Sequence, residues 1–191
     1  MRVVGGHLRG RRIVAPSGSA TRPTSDRVRE ALFSIVESRF GPLDGSSVLD
    51  LFAGSGALGI EALSRGASWA TFVDSDAAAA AAIATNLRAL GLDGRAAVLR
   101  RDALRLDAAR LPGRPFALLL ADPPYRIEPH EVLGALERLA ASGCLEPGAA
   151  VVYEAGSSAE LSWPGAFEPV VEKRYGSTRL AVARWRGSVS P

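Results

Sequence analysis

Short apolar runs alternate with segments of helical periodicity through most of the chain. The short runs have the length of buried strands, and the segments between them have the length of helices. The predicted strands are 47–51, 69–73, 96–100, 116–121 and 149–154, the predicted helices are 57–65, 76–90 and 131–141, and a C-terminal hairpin is predicted from 167–174 and 179–185. Strands that alternate with helices form a parallel sheet, so an α/β fold is expected.

The first part of the chain carries its own helical pattern. Apolar residues recur at helical spacing between Val28 and Val36, directly after the start signal Thr24-Ser25-Asp26. We expect one face of this helix to pack on the rest of the protein. Arg27 and Arg29 are then expected to point away from the packed face, together with Arg22.

Acidic residues lie where four of the predicted strands end. They are Asp50, Asp74, Asp102 and Asp122, and Gly54 closely follows the first of them. Because the carboxyl ends of parallel strands meet at one edge of a sheet, ligands bind at that edge. Any one of these acids is also explained as a turn residue or a helix cap, but their shared position favours a binding site.

The segment after the first predicted strand is rich in glycine. Gly54, Gly56 and Gly59 match the spacing G-x-G-x-x-G. Glycines at this spacing permit a tight turn and a close approach of the backbone to a ligand at a helix N-terminus. The spacing alone is shared by dinucleotide enzymes, by enzymes that bind other nucleoside cofactors and by chance turns.

Two carboxylates narrow the choice of cofactor. Asp74 lies 20 residues after Gly54, which suits hydrogen bonding to a ribose diol. Asp50 precedes the glycines, where a negative charge is unfavourable beside a pyrophosphate but favourable beside the cationic amino-acid tail of S-adenosylmethionine. The sequence therefore favours S-adenosylmethionine over NAD.

Asp122-Pro123-Pro124-Tyr125 follows an apolar run and so lies at the end of a buried strand. The two prolines restrict the backbone and lack N–H groups, so the loop is stiff. Asp122 and the neighbouring carbonyls are placed to accept hydrogen bonds from an exocyclic amino group, and the Tyr125 ring is able to stack on the base that carries it. An Asp-Pro turn that caps the strand is the alternative interpretation.

The order of these motifs resembles that of class I S-adenosylmethionine-dependent methyltransferases that act on exocyclic amino groups. The N-terminal segment narrows the resemblance, since Arg22-Pro23-Thr24 followed by Arg27-Val28-Arg29-Glu30 is similar to the RsmD family of 16S rRNA guanine-N2 methyltransferases. The ending Arg174-Tyr175-Gly176-Ser177-Thr178-Arg179-Leu180 is similar to the same family. The resemblance covers essentially the whole chain.

This resemblance implies methyl transfer to N2 of one guanine of 16S rRNA, the position named 966. It also implies a Rossmann-like, seven-stranded, mostly parallel sheet with an antiparallel C-terminal hairpin. The residues that match the cofactor motifs are Asp50, Phe52, Ala53, Gly54, Ser55, Gly56, Gly59, Asp74, Ser75, Asp102 and Ala103. The residues that match the catalytic motif are Asp122, Pro123, Pro124 and Tyr125. The expected partner is 16S rRNA in the small ribosomal subunit or in an assembly intermediate, and the protein is expected to be a monomer.

The positive charge is concentrated at the start of the chain. Residues 1–39 carry a formal charge of +5, and the remaining residues sum to −2. A basic segment on a slightly acidic body is typical of a nucleic-acid docking surface, although a solvated, loosely ordered N-terminus is the alternative. We therefore divide the chain into a basic N-terminal extension with an RNA-docking helix at 1–39 and a methyltransferase domain at 40–191. The expected RNA contacts are Arg11, Arg12, Arg22, Arg27 and Arg29.

The composition is that of a compact cytoplasmic enzyme. With 191 residues, of which 47% are hydrophobic, the chain is able to bury a substantial core. Cys144 is the single cysteine, which excludes an internal disulfide, and we expect it to be structural. His7 and His130 lack metal-ligand spacing, so no metal is expected. No apolar run has the length of a membrane span, and we expect no membrane partner.

Two other classes of function remain open from the residues. A DNA or protein amino-group methyltransferase shares the Asp-Pro-Pro-Tyr motif, because the motif does not encode the acceptor. A NAD-binding oxidoreductase or a non-catalytic RNA-binding module is compatible with the glycines alone. Analysis of the methylated product distinguishes a DNA or protein methyltransferase from an rRNA methyltransferase. Thermal stabilisation by NAD or by S-adenosylmethionine distinguishes the second class from a methyltransferase.

Overall fold

A seven-stranded sheet forms the centre of the protein. We describe a computed structural model of residues 1–16 and 25–187. The strands are β1 (Ser47–Leu51), β2 (Trp69–Asp74), β3 (Ala96–Arg100), β4 (Phe116–Ala121), β5 (Leu145–Gly156), β6 (Phe167–Tyr175) and β7 (Thr178–Trp185). Their spatial order is β3-β2-β1-β4-β5-β7-β6. The strands from β3 to β5 are parallel, and β7 pairs antiparallel with β5 and β6, which confirms the predicted fold class.

Helices cover both faces of this sheet. They are α1 (Asp26–Phe40), α2 (Ala57–Ser64), α3 (Ala77–Leu90) and α4 (Pro129–Ala141). Val48 of β1 packs in a core with α1, α2 and α3, whereas Leu49 and Leu51 pack in a second core with α4. This alternation along one strand follows from the two-residue period of strand side chains. The connection from β3 to β4 contains two short 3-10 turns, at Ala103–Arg105 and Ala108–Arg110.

The apolar face of α1 packs on the sheet as the sequence predicts. The Ser25 side chain accepts a hydrogen bond from the backbone N–H of Val28 and so caps the helix. Leu32, Phe33 and Val36 are fully buried in the same core as β1 and β2. The start of α1 and its packed face therefore agree with the helical pattern of the sequence.

The expectation that Arg29 points towards RNA is wrong. Arg29 is 0% exposed, and its Nη2 donates to Asp26 Oδ1 and to the Arg2 carbonyl, each at 2.7 Å. The physical reason is helical phase, because Arg29 lies three and four positions before the buried Leu32 and Phe33. Arg29 is thus a structural residue that joins α1 to the first residues of the chain.

The N-terminal hairpin, residues 1–13, is held on α2 by buried polar side chains. Its two arms meet at an antiparallel bridge between Arg2 and Arg12. Glu61 Oε2 accepts a hydrogen bond from the Val4 N–H at 2.8 Å, and Ser64 Oγ accepts one from the Leu8 N–H at 2.9 Å. Because α2 begins directly after Gly56, this hairpin rests on the helix that leads away from the predicted cofactor loop.

None of the helices among residues 1–16 and 25–187 is both long and apolar enough to cross a membrane. Within the same residues, no group of three or more His, Cys, Asp or Glu side chains has the arrangement of a metal site.

Candidate active site

The connection from β1 to α2, residues 52–56, forms a glycine loop with unusual backbone angles. Gly54 and Gly56 have φ values of 55° and 77°, and Gly56 is the N-cap of α2. Phe52 has a φ of 56°, and it is the one non-glycine residue with a positive φ in the described part of the chain. Non-glycine residues adopt this conformation at an energetic cost and cluster at ligand sites. The strain at Phe52 therefore supports its assignment to a binding loop.

Asp74, at the end of β2, is held by backbone donors on both carboxylate oxygens. Its Oδ2 accepts from the Gly54 N–H at 2.8 Å, and its Oδ1 accepts from the Asp76 N–H at 2.9 Å. Each oxygen keeps a further lone pair, and the residue is partly exposed. This fixed carboxylate beside the glycine loop is suited to accept hydrogen bonds from a ribose diol. Ser75, which follows it, is exposed.

Asp50 lies beneath the glycine loop and is 1% exposed. Its Oδ2 accepts a hydrogen bond from the Gly59 N–H at 2.9 Å. Burial raises the pKa of Asp50 well above its ordinary value, and the nearby charges of Asp122 and Asp74 act in the same direction, while the Gly59 hydrogen bond opposes them. The pairing of Asp50 with a cationic cofactor tail stays a prediction.

Gly59 is required at its position by close packing. A Cβ atom there would lie 2.3 Å from Phe72 Cε1 and 3.1 Å from Asp50 Oδ2. Any side chain would displace the aromatic ring beneath α2 and crowd the Asp50 carboxyl group. The third glycine of the motif therefore serves helix-sheet packing, one of the roles expected for such a glycine.

Asp102 and Ala103 lie after β3, next to the end of β2. Asp102 caps a 3-10 turn, since its Oδ1 accepts from the Leu104 N–H at 3.0 Å. Its side chain is 50% exposed, whereas Ala103 is buried. The structure thus brings the residues of the cofactor motifs to the carboxyl edge of β1, β2 and β3, where they form the cofactor edge of the sheet.

The Asp-Pro-Pro-Tyr loop begins directly after β4, beside this cofactor edge. Ala121, the last residue of β4, pairs with Leu51 of β1, so Asp122 follows at the level of the glycine loop. Asp122 is partly exposed and Pro123 is buried. The Tyr125 side chain is a large apolar surface that is 65% exposed.

An open cavity of about 660 Å³, the acceptor cavity, adjoins this loop. One wall runs from Pro123 to the first residues of α4, and the other is formed by the end of β5, the segment after it and Ser177. Tyr153 lines the inner end and is 1% exposed, and burial, together with the Glu128 charge, raises its pKa to about 12. Tyr153 therefore stays a neutral phenol, while Tyr125 offers an exposed ring at the mouth.

The turn between β6 and β7 builds the far wall of the acceptor cavity. Ser157 donates its N–H to the Ser177 carbonyl at 2.8 Å. The buried Arg179 donates from Nη2 to the Ser157 carbonyl at 3.3 Å and pairs through Nη1 with Glu172 at 3.2 Å. The sequence motif around Tyr175-Gly176-Ser177 marks this turn, but the motif alone does not reveal its place beside the Asp-Pro-Pro-Tyr loop.

The predicted RNA contacts differ in their positions. Arg11, Arg12 and Arg27 are exposed, Arg29 is buried, and Arg22 lies outside the described residues. Two further exposed arginines are not among the RNA contacts predicted from the sequence. Arg2 and Arg9 are exposed and, together with Arg27, line a groove of about 260 Å³ on the N-terminal hairpin and α1.

This sheet order, with a glycine loop after β1, a fixed carboxylate at the end of β2 and Asp-Pro-Pro-Tyr after β4, defines a class I methyltransferase. S-adenosylmethionine is the methyl donor of such an enzyme. The chain belongs to the family described as "Conserved hypothetical protein 95", the RsmD family, whose model matches residues 1–184. The resemblance drawn from the motifs is therefore confirmed.

Individual relatives agree with this assignment. YlbH of Bacillus subtilis is 39% identical over 189 residues, which cover 98% of this chain and 100% of YlbH. The "Ribosomal RNA small subunit methyltransferase D" of Haemophilus influenzae is 33% identical, and the match covers 92% of this chain and 89% of that protein. The solved structure of Escherichia coli yhhF superimposes with a TM-score of 0.81 at 33% identity, covering 98% of this chain and 99% of yhhF.

Proposed function

We propose that this protein methylates the exocyclic N2 of a guanine in 16S rRNA. The observation that carries the proposal is the position of Asp122-Pro123-Pro124-Tyr125 between the cofactor edge and the acceptor cavity. Asp122 would then offer an acceptor for amino hydrogens, and Tyr125 an exposed aromatic ring, next to the proposed cofactor site. The Haemophilus influenzae relative, named for the ribosomal RNA small subunit, supports this substrate for the family.

The cofactor edge fits S-adenosylmethionine. The Asp74 carboxylate is positioned for the ribose hydroxyls, and the glycine loop gives backbone access at the start of α2. Asp50, buried beneath the glycine loop, is the carboxyl group proposed to bind the cationic amino-acid tail. Asp102 and Ala103 follow β3, the strand that pairs with β2, and are assigned in this proposal to the adenine side. The cofactor supplies an electrophilic methyl carbon bonded to a sulfonium.

The acceptor loop supplies orientation rather than a covalent nucleophile. The guanine N2 lone pair is delocalised into the ring, so the amine needs help to attack. Hydrogen bonds from N2–H to Asp122 and to the Pro123 carbonyl would draw the nitrogen towards tetrahedral geometry and aim its lone pair at the methyl carbon. Methyl transfer to N2 would release S-adenosylhomocysteine, and the proton that the amine gives up would pass to the Asp122 carboxylate or to solvent. Most of the catalysis is therefore positioning and electrostatic stabilisation.

The acceptor cavity has the size for one base that has left its stack. Stacking on Tyr125 contributes about 1–3 kcal/mol, which is comparable with the few kcal/mol needed to unstack a base. Ser157, Ser177 and the exposed Glu160 add polar groups to the far wall. The cavity opens to the surface, which allows the base to remain attached to its RNA chain.

The exposed arginines on the N-terminal hairpin and α1 are proposed to bind the RNA backbone. Arg11, Arg12 and Arg27 are retained from the sequence prediction, and Arg2 and Arg9 extend the same surface. Phosphate contacts of this kind give affinity that is independent of base sequence and decreases with salt. The substrate is the small ribosomal subunit or an assembly intermediate, and the enzyme acts in the cytoplasm as a monomer.

Transfer of labelled methyl tests the proposal. Small ribosomal subunits from a strain that lacks this activity are incubated with the protein and labelled S-adenosylmethionine, with naked rRNA, tRNA, DNA and protein in parallel. N2-methylguanosine at one 16S position is the expected product, identified by mass spectrometry. Label in DNA or protein alone would instead assign the enzyme to another amino-group substrate.

A second series of RNA-binding measurements at several salt concentrations reports the number of phosphate contacts.

A further inference from the structure

Asn86 is a polar residue on the buried face of α3. It is 2% exposed, and its helix neighbours Ile83, Leu87 and Leu90 belong to the hydrophobic core. A buried amide is costly unless its donors and acceptor are paired. The hydrogen bonds of Asn86 therefore show what the fold gains from a polar group at this position.

The Asn86 amide joins two distant segments of the chain. Its Oδ1 accepts from the Val14 N–H, and its Nδ2 donates to the Val14 carbonyl, both at 2.9 Å. The same Nδ2 donates to the Ser55 carbonyl at 2.9 Å. Ser55 lies between Gly54 and Gly56 of the glycine loop. One buried side chain thus connects the segment after the N-terminal hairpin to the loop at the cofactor edge.

Asn86 completes a set of three hydrogen bonds that define this region. Asp74 holds the Gly54 N–H, Asp50 holds the Gly59 N–H, and Asn86 holds the Ser55 carbonyl. The carboxylates of Asp74 and Asp50 accept from backbone N–H groups, so Asn86 is the one residue of this set that holds a backbone carbonyl. A loop that is fixed from both sides before the ligand arrives loses less conformational entropy on binding.

We propose that Asn86 is a positioning residue for S-adenosylmethionine, and that Val14 locks the orientation of its amide. The backbone of Val14 pairs with both ends of the amide, so the Nδ2 group is directed at Ser55 and the carboxamide cannot turn over without losing all three hydrogen bonds. Asn86 acts through the glycine loop rather than by touching the cofactor. This inference rests on the proposed function only for the identity of the cofactor and is independent of the methyl acceptor.

Two substitutions of Asn86 test the proposal by calorimetry with S-adenosylhomocysteine. Asn86→Ala leaves the Ser55 carbonyl unpaired, and we expect about a tenfold loss of affinity. Asn86→Asp keeps the shape but turns a second oxygen towards two carbonyls, so its affinity is expected to fall further. Ser64→Ala is the matched control, because Ser64 also anchors the N-terminal hairpin from a buried helix position but does not contact the glycine loop.

Steady-state kinetics separate positioning from a general loss of stability. For Asn86→Ala we expect KM for S-adenosylmethionine to rise about tenfold while kcat at saturating cofactor stays within about twofold of the wild type. Equal affinities for the wild type and both Asn86 variants would overturn the proposal. A fall in kcat alone, with KM unchanged, would overturn it as well.

A pair of substitutions at Val14 keeps the proposal testable if the Asn86 variants do not fold. Val14 is 51% exposed, so Val14→Ala is expected to leave cofactor affinity unchanged. Val14→Pro removes the N–H that donates to Asn86 Oδ1, and we expect it to weaken S-adenosylhomocysteine binding about threefold to tenfold. Equal affinity in the two variants would contradict the locking role. Cofactor binding that depends on Asn86, with no RNA methylation, would refute the proposed function and leave this inference standing.

Discussion

The cofactor edge and the acceptor cavity lie side by side but are built in opposite ways. At the cofactor edge, Asp50, Asp74 and Asn86 each hold a backbone group of the glycine loop or of α2. At the acceptor cavity, Tyr125 is 65% exposed and the walls enclose an open space of about 660 Å³. The fold therefore fixes the proposed cofactor site through hydrogen bonds, whereas the proposed site for the base is open to solvent.

The largest expected effect comes from Asp122→Ala, which is expected to impair methyl transfer without impairing cofactor binding. Loss of the proposed hydrogen-bond acceptor for N2–H is expected to lower the single-turnover rate of methyl transfer by about 100-fold or more. Affinity for S-adenosylhomocysteine, measured by calorimetry, is expected to stay within about threefold of the wild type. A comparable loss of cofactor affinity would mean that the two sites are not separable at this residue.

Gly59→Ala is expected to disturb the packing of α2 beneath the cofactor edge. The new methyl group would lie 2.3 Å from Phe72 Cε1, so the ring and the first turns of α2 must shift. We expect the free energy of unfolding to fall by about 1–3 kcal/mol in urea denaturation, together with a loss of cofactor affinity. Gly94→Ala is the control, because a Cβ there meets no atom within 4 Å. Equal stability of the two variants would show that this packing is not required.

Substitutions of Tyr125 test whether its ring stacks on the base at the acceptor cavity. Tyr125→Ala removes the exposed ring, and we expect KM for the RNA substrate to rise about tenfold, since base stacking contributes about 1–3 kcal/mol. Tyr125→Phe keeps the ring and is expected to behave like the wild type. If the phenylalanine variant is as impaired as the alanine variant, the hydroxyl group and not stacking is responsible.

Asp50→Asn tests the buried carboxyl group of the cofactor edge through the pH dependence of stability. Burial raises the pKa of Asp50 above the unfolded value, so the folded state binds the proton more tightly. The wild type is therefore expected to lose stability as pH rises above 3.8, by at most about 1.4 kcal/mol per pH unit from this group, until the folded-state pKa is passed. Urea denaturation of both proteins across this range measures the difference, which an equal pH dependence would contradict.

The strands around the glycine loop are predictable because each is a short buried run between turns. The predicted bounds of β1, β3 and β4 coincide with those in the structure. β5 begins at Leu145, earlier than the predicted start at 149, because Pro147 and Gly148 obscure its first residues. Leu145 pairs with Phe116, and the register shifts before Ala150 pairs with Leu118. Local pattern reveals a regular strand but not an irregular extension.

Buried polar side chains mark the limit of prediction from sequence. Arg29 and Asn86 both lie in helical phase with core residues, so their burial has a signal in the sequence. The partners Arg2 and Val14 have no such signal, because they lie far from Arg29 and Asn86 along the chain. Charge alone therefore assigns Arg29 to the surface, and only the tertiary fold shows that it is enclosed.

The position of β7 between β5 and β6 has a consequence for the order of synthesis. β5 pairs with β4 on one side and with β7 on the other, and Ser177 adjoins the start of β7. During translation the residues of the cofactor edge leave the ribosome first. The edge of β5 that faces β7 stays unpaired until Thr178–Trp185 has been synthesised. Such an edge is prone to pair with other chains. We therefore expect β7 to remove this aggregation-prone edge when it pairs with β5, and the same pairing brings Ser177 to the wall of the acceptor cavity.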